Sequence, residues 1–219
     1  MVYNLFYEIL YIISVHNISR RFNIMSSTRY SKTTYLVLCG LFAALTAICS
    51  YITIPLGFTP VPINLGTLAV FLTGGILGRK YGTVSIVVYV LLGSIGIPVF
   101  SGFRGGISVL AGPTGGYIIG YIAAVFVVGL LADRLMDRFR TNAQNGRRGS
   151  YASETLLLAL SMVAGLIVCY AMGTAWFMIS TGTPLWASLV SCVFPFLIGD
   201  AVKIIAAALL VRKLRPMIN

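Results

Sequence analysis

Between Leu185 and Val211 the chain is apolar except for two ionisable residues, Asp200 and Lys203. A run of this length and character can cross a bilayer as a helix. Inside hydrocarbon every polar group must find its partner within the protein, and a charge at the bilayer centre costs about 2.5–3.5 kcal/mol on insertion scales. Three residues apart, Asp200 and Lys203 share one helix face and reach each other. Two readings follow. The pair is either an internal lock on helix packing or a site that holds something polar. The cost of keeping both charges in the membrane favours the site.

The rest of the chain resembles this segment. Of 219 residues, 58% are hydrophobic and 10% charged, where a soluble domain carries roughly 25% charged residues. The class is therefore all-α membrane protein, with one compact membrane domain. The net charge of +11 does not indicate nucleic acid as a partner, because the basic residues sit between apolar segments instead of forming a stripe. Cys39, Cys49, Cys169 and Cys192 lie in apolar segments without a C-x-x-C and read as small buried hydrophobes. The only histidine is His16, so no Ser/His/Asp or Cys/His constellation is available, and neither an enzyme activity, a metal nor a cofactor is called for. No G-x-x-x-x-G-K-[ST] occurs. If the protein moves a solute uphill, a separate partner supplies the energy, or Asp200 acts as a proton relay.

Residues 1–33 form an N-terminal extension. Its apolar run Leu5–Val15 is too short to span, and reads as an interfacial helix or as sequence ahead of a true start at Met25. Six apolar segments follow within residues 34–213, ahead of a short cytoplasmic tail, 214–219. They are Thr34–Ile54, Leu65–Gly78, Tyr81–Gly96, Gly112–Leu131, Glu154–Ser180 and Leu185–Val211. Lys and Arg number four, two, five and three in one set of alternating connections and zero, one and zero in the other. The positive-inside rule then puts both termini in the cytoplasm. The Pro-rich loop Pro55–Asn64, the Gly-rich loop Ile97–Thr114 and the T-G-T-P turn fall outside.

Those outer loops are apolar, and irregular backbone at membrane depth is tolerated only where protein or a cavity satisfies it. They are expected to fold over an outward-facing binding site for a small, mostly apolar ligand with a few hydrogen-bonding groups. Asp200 accepts N–H groups and Lys203 donates to a carbonyl or carboxylate. Asn64, Tyr89, Arg104, Thr114 and Tyr117 are further polar candidates, and Phe58, Phe100 and Phe103 are candidate walls. Asp200 lies about 22 Å along a single helix from Leu185, so the site should be an inward-dipping pocket. In the first segment Gly40/Ala44 and Ala43/Ala47 are small-residue pairs at four-residue spacing, which let another helix approach closely.

P-V-P-I-N (60–64), G-S-I-G-I-P-V-F (93–100), G-P-T-G-G-Y (112–117) and G-D-A-V-K (199–203), in this order, resemble the BioY family. These are the biotin-binding components of energy-coupling factor (ECF) transporters. The resemblance covers about Thr34 to Lys213. It implies six transmembrane helices in a prokaryotic cell membrane and capture of biotin from outside. It also implies partnership with a transmembrane coupling protein and two ATP-binding subunits. Asp200 and Lys203 match the family's D-x-x-K contact to biotin. Ala43 and Ala47 match its A-x-x-x-A docking surface. Another vitamin as substrate, solitary transport, and a non-transport membrane subunit are the competing readings.

Overall fold

A computed structural model describes residues 32–144 and 150–218. The N-terminal extension, apart from its last two residues, lies outside them, as do Arg147 and Arg148. The chain runs α1 (Lys32–Tyr51), β1 (Thr53–Ile54), β2 (Ile63–Asn64), α2 (Gly66–Ser94), α3 (Ile107–Ala111), α4 (Gly115–Gln144), α5 (Tyr151–Thr181), α6 (Leu185–Cys192) and α7 (Phe194–Ile218). Among the described residues five helices are long and apolar enough to cross a membrane. They carry large apolar side chains outward as well as inward. Leu36, Leu41, Leu160, Ile167, Ile198 and Ile205 are all exposed. Helices hydrophobic all round belong in a bilayer.

The structure departs from the expected segments in four places. The Pro-rich loop is closed by a small antiparallel ribbon, Thr53 opposite Asn64 and Ile54 opposite Ile63, so the fold is helical apart from this hairpin. The fourth helix continues through the charged stretch to Gln144. The sixth segment is broken at Val193 (φ −124°, ψ −58°) into α6 and α7. Pro195 suits that break, since its missing N–H interrupts the ladder of a continuous helix while its fixed φ fits the first turn of a new one.

The second and third segments are joined without a loop. Gly78 has φ 74° and ψ −174°, a backbone geometry essentially reserved for glycine. The chain folds back there. A Cβ added at Gly82 would lie 3.3 Å from the Cα of Gly74, whereas eight residues of straight helix span about 12 Å. α2 is thus a hairpin with arms 66–77 and 79–94. Asp133 of α4 holds the reversal: its Oδ2 accepts the Arg79 backbone N–H at 3.0 Å. Its Oδ1 pairs with the buried guanidinium of Arg215, which also donates to the Gly75 carbonyl at 2.7 Å.

Gly78→Val should therefore be strongly destabilising. A Cβ at this position would sit 2.4 Å from Asp133 Oδ1, and displacing Asp133 leaves Arg215 buried without its counter-charge. Backbone strain costs about 1–3 kcal/mol and an uncompensated buried charge about as much again. The thermal midpoint in detergent should fall by roughly 5 °C or more.

Two apolar clusters fill the bundle. One gathers Phe42, Phe71, Leu158, Met162 and Val211 at the end nearer the hairpin reversal. The other gathers Ala43, Ala47, Tyr89, Phe100, Tyr117, Tyr121 and Phe196 around the functional site. Hydroxyls within the helices are satisfied locally: Thr46 and Thr73 bond back to the carbonyls of Phe42 and Ala69.

Candidate functional site

The restart of the helix at Phe194 sets the depth of the ionisable pair. Asp200 lies six residues into α7, about 9 Å along its axis, not 22 Å along one helix begun at Leu185. Asp200 and Lys203 are both buried, 1% and 8% exposed. Their contact, Nζ to Oδ1, is 2.8 Å. Lys203 also donates to the Asn64 carbonyl at 2.7 Å and the Thr67 hydroxyl at 3.1 Å, so all three ammonium protons are placed. Asp200 Oδ1 accepts the Thr67 hydroxyl at 3.0 Å as well, and Oδ2 accepts the hydroxyl of Tyr170. A carboxylate has about four acceptor positions. Three are filled, and one on Oδ2 remains for a ligand's N–H.

The pair lies in the wall of a cavity, and of the residues named from the sequence Asn64, Tyr89, Phe100, Arg104, Thr114 and Tyr117 line it with Asp200 and Lys203. Its enclosed volume is about 60 Å³, below the roughly 300–1,000 Å³ of small-molecule sites, so a ligand entering it has to displace lining side chains. The Pro-rich and Gly-rich loops are fastened across it. Asn64, at the end of the ribbon, donates from Nδ2 to the Ser101 hydroxyl at 2.6 Å, tying the Pro-rich loop to the Gly-rich one. Its Oδ1 accepts the Gly66 N–H at 2.8 Å and the Tyr121 hydroxyl at 3.4 Å. The Gly-rich loop turns back on itself between Phe100 and Arg104. Its Phe100 ring packs on Gly93, where a Cβ would fall 2.1 Å from the ring, so only glycine admits it. Phe100 meets the Tyr89 ring edge-on at 5.6 Å between centroids. Tyr89 shares a hydrogen bond with Ser50 at 3.0 Å, and Tyr117 one with Thr174 at 3.3 Å. Arg104 is exposed at the mouth, where its Nε donates to the Ser101 carbonyl at 3.2 Å. The Thr114 carbonyl receives the Tyr117 and Ile118 N–H groups that open α4.

Two expected walls lie elsewhere. Phe58 is exposed outside the lining, and Phe103 is exposed and stacked on Tyr51. Conversely, Thr67, Tyr121 and Tyr170 are missing from the sequence-derived set. Tyr121 could have been found, being one turn beyond Tyr117 on the same face of α4. Tyr170 and Thr67 lack the charge that singles out Asp200, and only their hydrogen bonds to it mark them.

The small-residue pairs of α1 face opposite ways. Ala43 and Ala47 are buried in the cluster around the cavity, packed within the same cluster as Tyr89. In the chain by itself both alanines therefore pack inward. Gly40 and Ala44 are exposed, and nothing lies within 4 Å of a Cβ added at Gly40.

Comparison with known proteins agrees with this fold. The BioY family model matches residues 22–219. The biotin transporter BioY of Thermotoga maritima is 39% identical over 183 residues, 83% of this chain and 96% of its own. That of Rhizobium etli is 36% identical over 182 residues, 83% and 92% respectively. The crystal structure of the S-component for biotin from an ECF-type ABC transporter superposes with a TM-score of 0.71 at 31% identity, covering 86% of this chain and 94% of that one. With its apolar helices and transporter relatives, this multi-pass membrane protein is not an enzyme: the chain belongs to the BioY family.

Proposed function

We propose that this chain captures biotin from outside the cell and delivers it to an ECF-type transporter. The observation that carries the reading is the buried network of Asp200, Lys203, Thr67, Tyr170 and Asn64 at the wall of an otherwise apolar cavity. Biotin's ureido ring has two N–H donors and a carbonyl. Asp200 Oδ2 takes an N–H and Lys203 turns one of its protons to the carbonyl. Phe100, Tyr89, Tyr117 and Phe196 enclose the thiophane ring and aliphatic chain, and Arg104 at the mouth pairs with the carboxylate. The relatives named above are biotin transporters and an S-component for biotin, which supports the same substrate.

In this reading the two arms of α2 count as separate spans, and the membrane unit of residues 34–213 crosses six times. Both termini and the Gly78 reversal face the cytoplasm, in line with the Lys and Arg distribution. The partners are a transmembrane coupling protein, two ATP-binding subunits and the bilayer. Gly40 and Ala44, on the open face of α1, are the docking stripe. Labelled biotin should accumulate in uptake-deficient cells expressing this chain with those partners, and should fall to background without the ATP-binding subunits. Equal accumulation without them would make it a solitary carrier. Accumulation of thiamin or riboflavin instead would overturn the substrate.

Tyr170→Phe removes the hydroxyl from Asp200 Oδ2. A hydrogen bond to a charged group is worth about 1.5–3 kcal/mol, so biotin should bind about tenfold more weakly or worse, with the fold intact. Equilibrium binding to the purified variant measures this.

A further inference from the structure

A second groove lies on the outside of the hairpin, away from the cavity. Arg79, Lys80, Val84, Val87, Val88 and Phe126 line it. Lys80, Val84, Val87 and Val88 are spaced i, i+4, i+7 and i+8, so they present one face of the second arm. Phe126 of α4 closes the other side. The groove is thus charged at the Gly78 end and apolar for roughly 12 Å beyond it.

The charged end is open. Arg79 and Lys80 are exposed, and among the described residues neither side chain has a salt bridge. Asp133, beside them, already spends one oxygen on Arg215 and the other on the Arg79 backbone N–H. Arg79 is held at the groove over the Phe126 ring, 5.9 Å from its centroid, and Lys80 lies 5.6 Å from the centroid of its neighbour Tyr81. The turn beneath them is fixed by Gly78 and Asp133.

We propose that this groove binds an anionic phospholipid. Its phosphate rests on Arg79 and Lys80, and an acyl chain lies along Val84, Val87, Val88 and Phe126. Two cations without a salt bridge among the described residues, at the end of an apolar channel in a membrane, complement an anionic head and its tail. Basic residues at the membrane surface attract anionic lipid in this way. The assignment to the cytoplasmic leaflet rests on the orientation proposed above, and the lipid site is independent of the biotin reading.

Native mass spectrometry of the protein in neutral detergent, with equal phosphatidylglycerol and phosphatidylcholine added, tests it. Phosphatidylglycerol adducts should exceed phosphatidylcholine adducts by about tenfold. Arg79→Gln with Lys80→Gln should remove that preference while the thermal midpoint stays unchanged. Equal adducts for the two lipids, or a preference that survives in the double variant, would overturn the site. So would displacement of the lipid by inorganic phosphate alone, which would indicate a free-anion site. A double variant that keeps its lipid but fails to co-purify with the coupling protein would assign the groove to a protein partner instead. Labelling of Lys80→Cys by a membrane-impermeant thiol reagent from outside the cell would reject the leaflet while leaving the lipid preference to stand on its own.

Discussion

Lys203→Ala is expected to weaken biotin binding by at least thirtyfold, and Asp200→Asn by a similar factor, in protein that still inserts and purifies as a monodisperse species. Truncating one member of a buried, hydrogen-bonded charge pair costs about 2–5 kcal/mol, and each 1.4 kcal/mol is a factor of ten. Asp200 and Lys203 satisfy each other at 2.8 Å, so a purely structural lock predicts lost stability instead. The two roles separate in the double variant Asp200→Leu with Lys203→Met. Replacing a buried ion pair by apolar residues of similar volume is often neutral or stabilising. The thermal midpoint should recover relative to either single variant, while biotin binding stays absent. Binding that returns with stability would mean the pair never touched the ligand.

The second large effect separates the two faces of α1. Ala44→Trp, and Gly40→Trp beside it, should abolish ATP-dependent biotin uptake while leaving binding to the purified protein within about twofold. Both positions are exposed, and the added ring meets lipid or a partner, not the core. Ala43→Trp and Ala47→Trp should behave differently. Their sites are 3% and 8% exposed inside the cluster that supports the cavity, and overpacking a filled core costs about 1–3 kcal/mol or more. Binding and stability should fall together. Parallel uptake and binding assays on the four variants check this. Uptake lost at Ala43 with binding intact would assign docking to Ala43 and Ala47, as their A-x-x-x-A spacing implies.

How much of this was legible in the chain depended on cost. Asp200 and Lys203 stood out because an ionised group in an apolar run is expensive, and expense is visible without coordinates. The loop residues Asn64, Phe100, Arg104 and Thr114 stood out because apolar, Gly- and Pro-rich loops have to be satisfied somewhere, and they do line the cavity. What did not show were features decided by single backbone torsions or by facing. Gly78 looks like any other glycine among the glycines of this chain until its φ of 74° and the Asp133 contact are seen. The break at Val193 was foreshadowed by Pro195 but hidden within a continuous apolar run. Facing was the hardest to read, because in a membrane helix the outward side is as apolar as the inward one, so periodicity could not tell Ala43 from Ala44. Tyr170 and Thr67 had ordinary polarity, and only their distance to Asp200 marks them.

Whether this protein binds biotin by itself is the decisive question. Isothermal titration of biotin into the purified protein in detergent should give saturable one-to-one binding, abolished in Lys203→Ala and undisturbed by excess thiamin or riboflavin. A folded, monodisperse wild-type protein that releases no binding heat and retains no labelled biotin would contradict it.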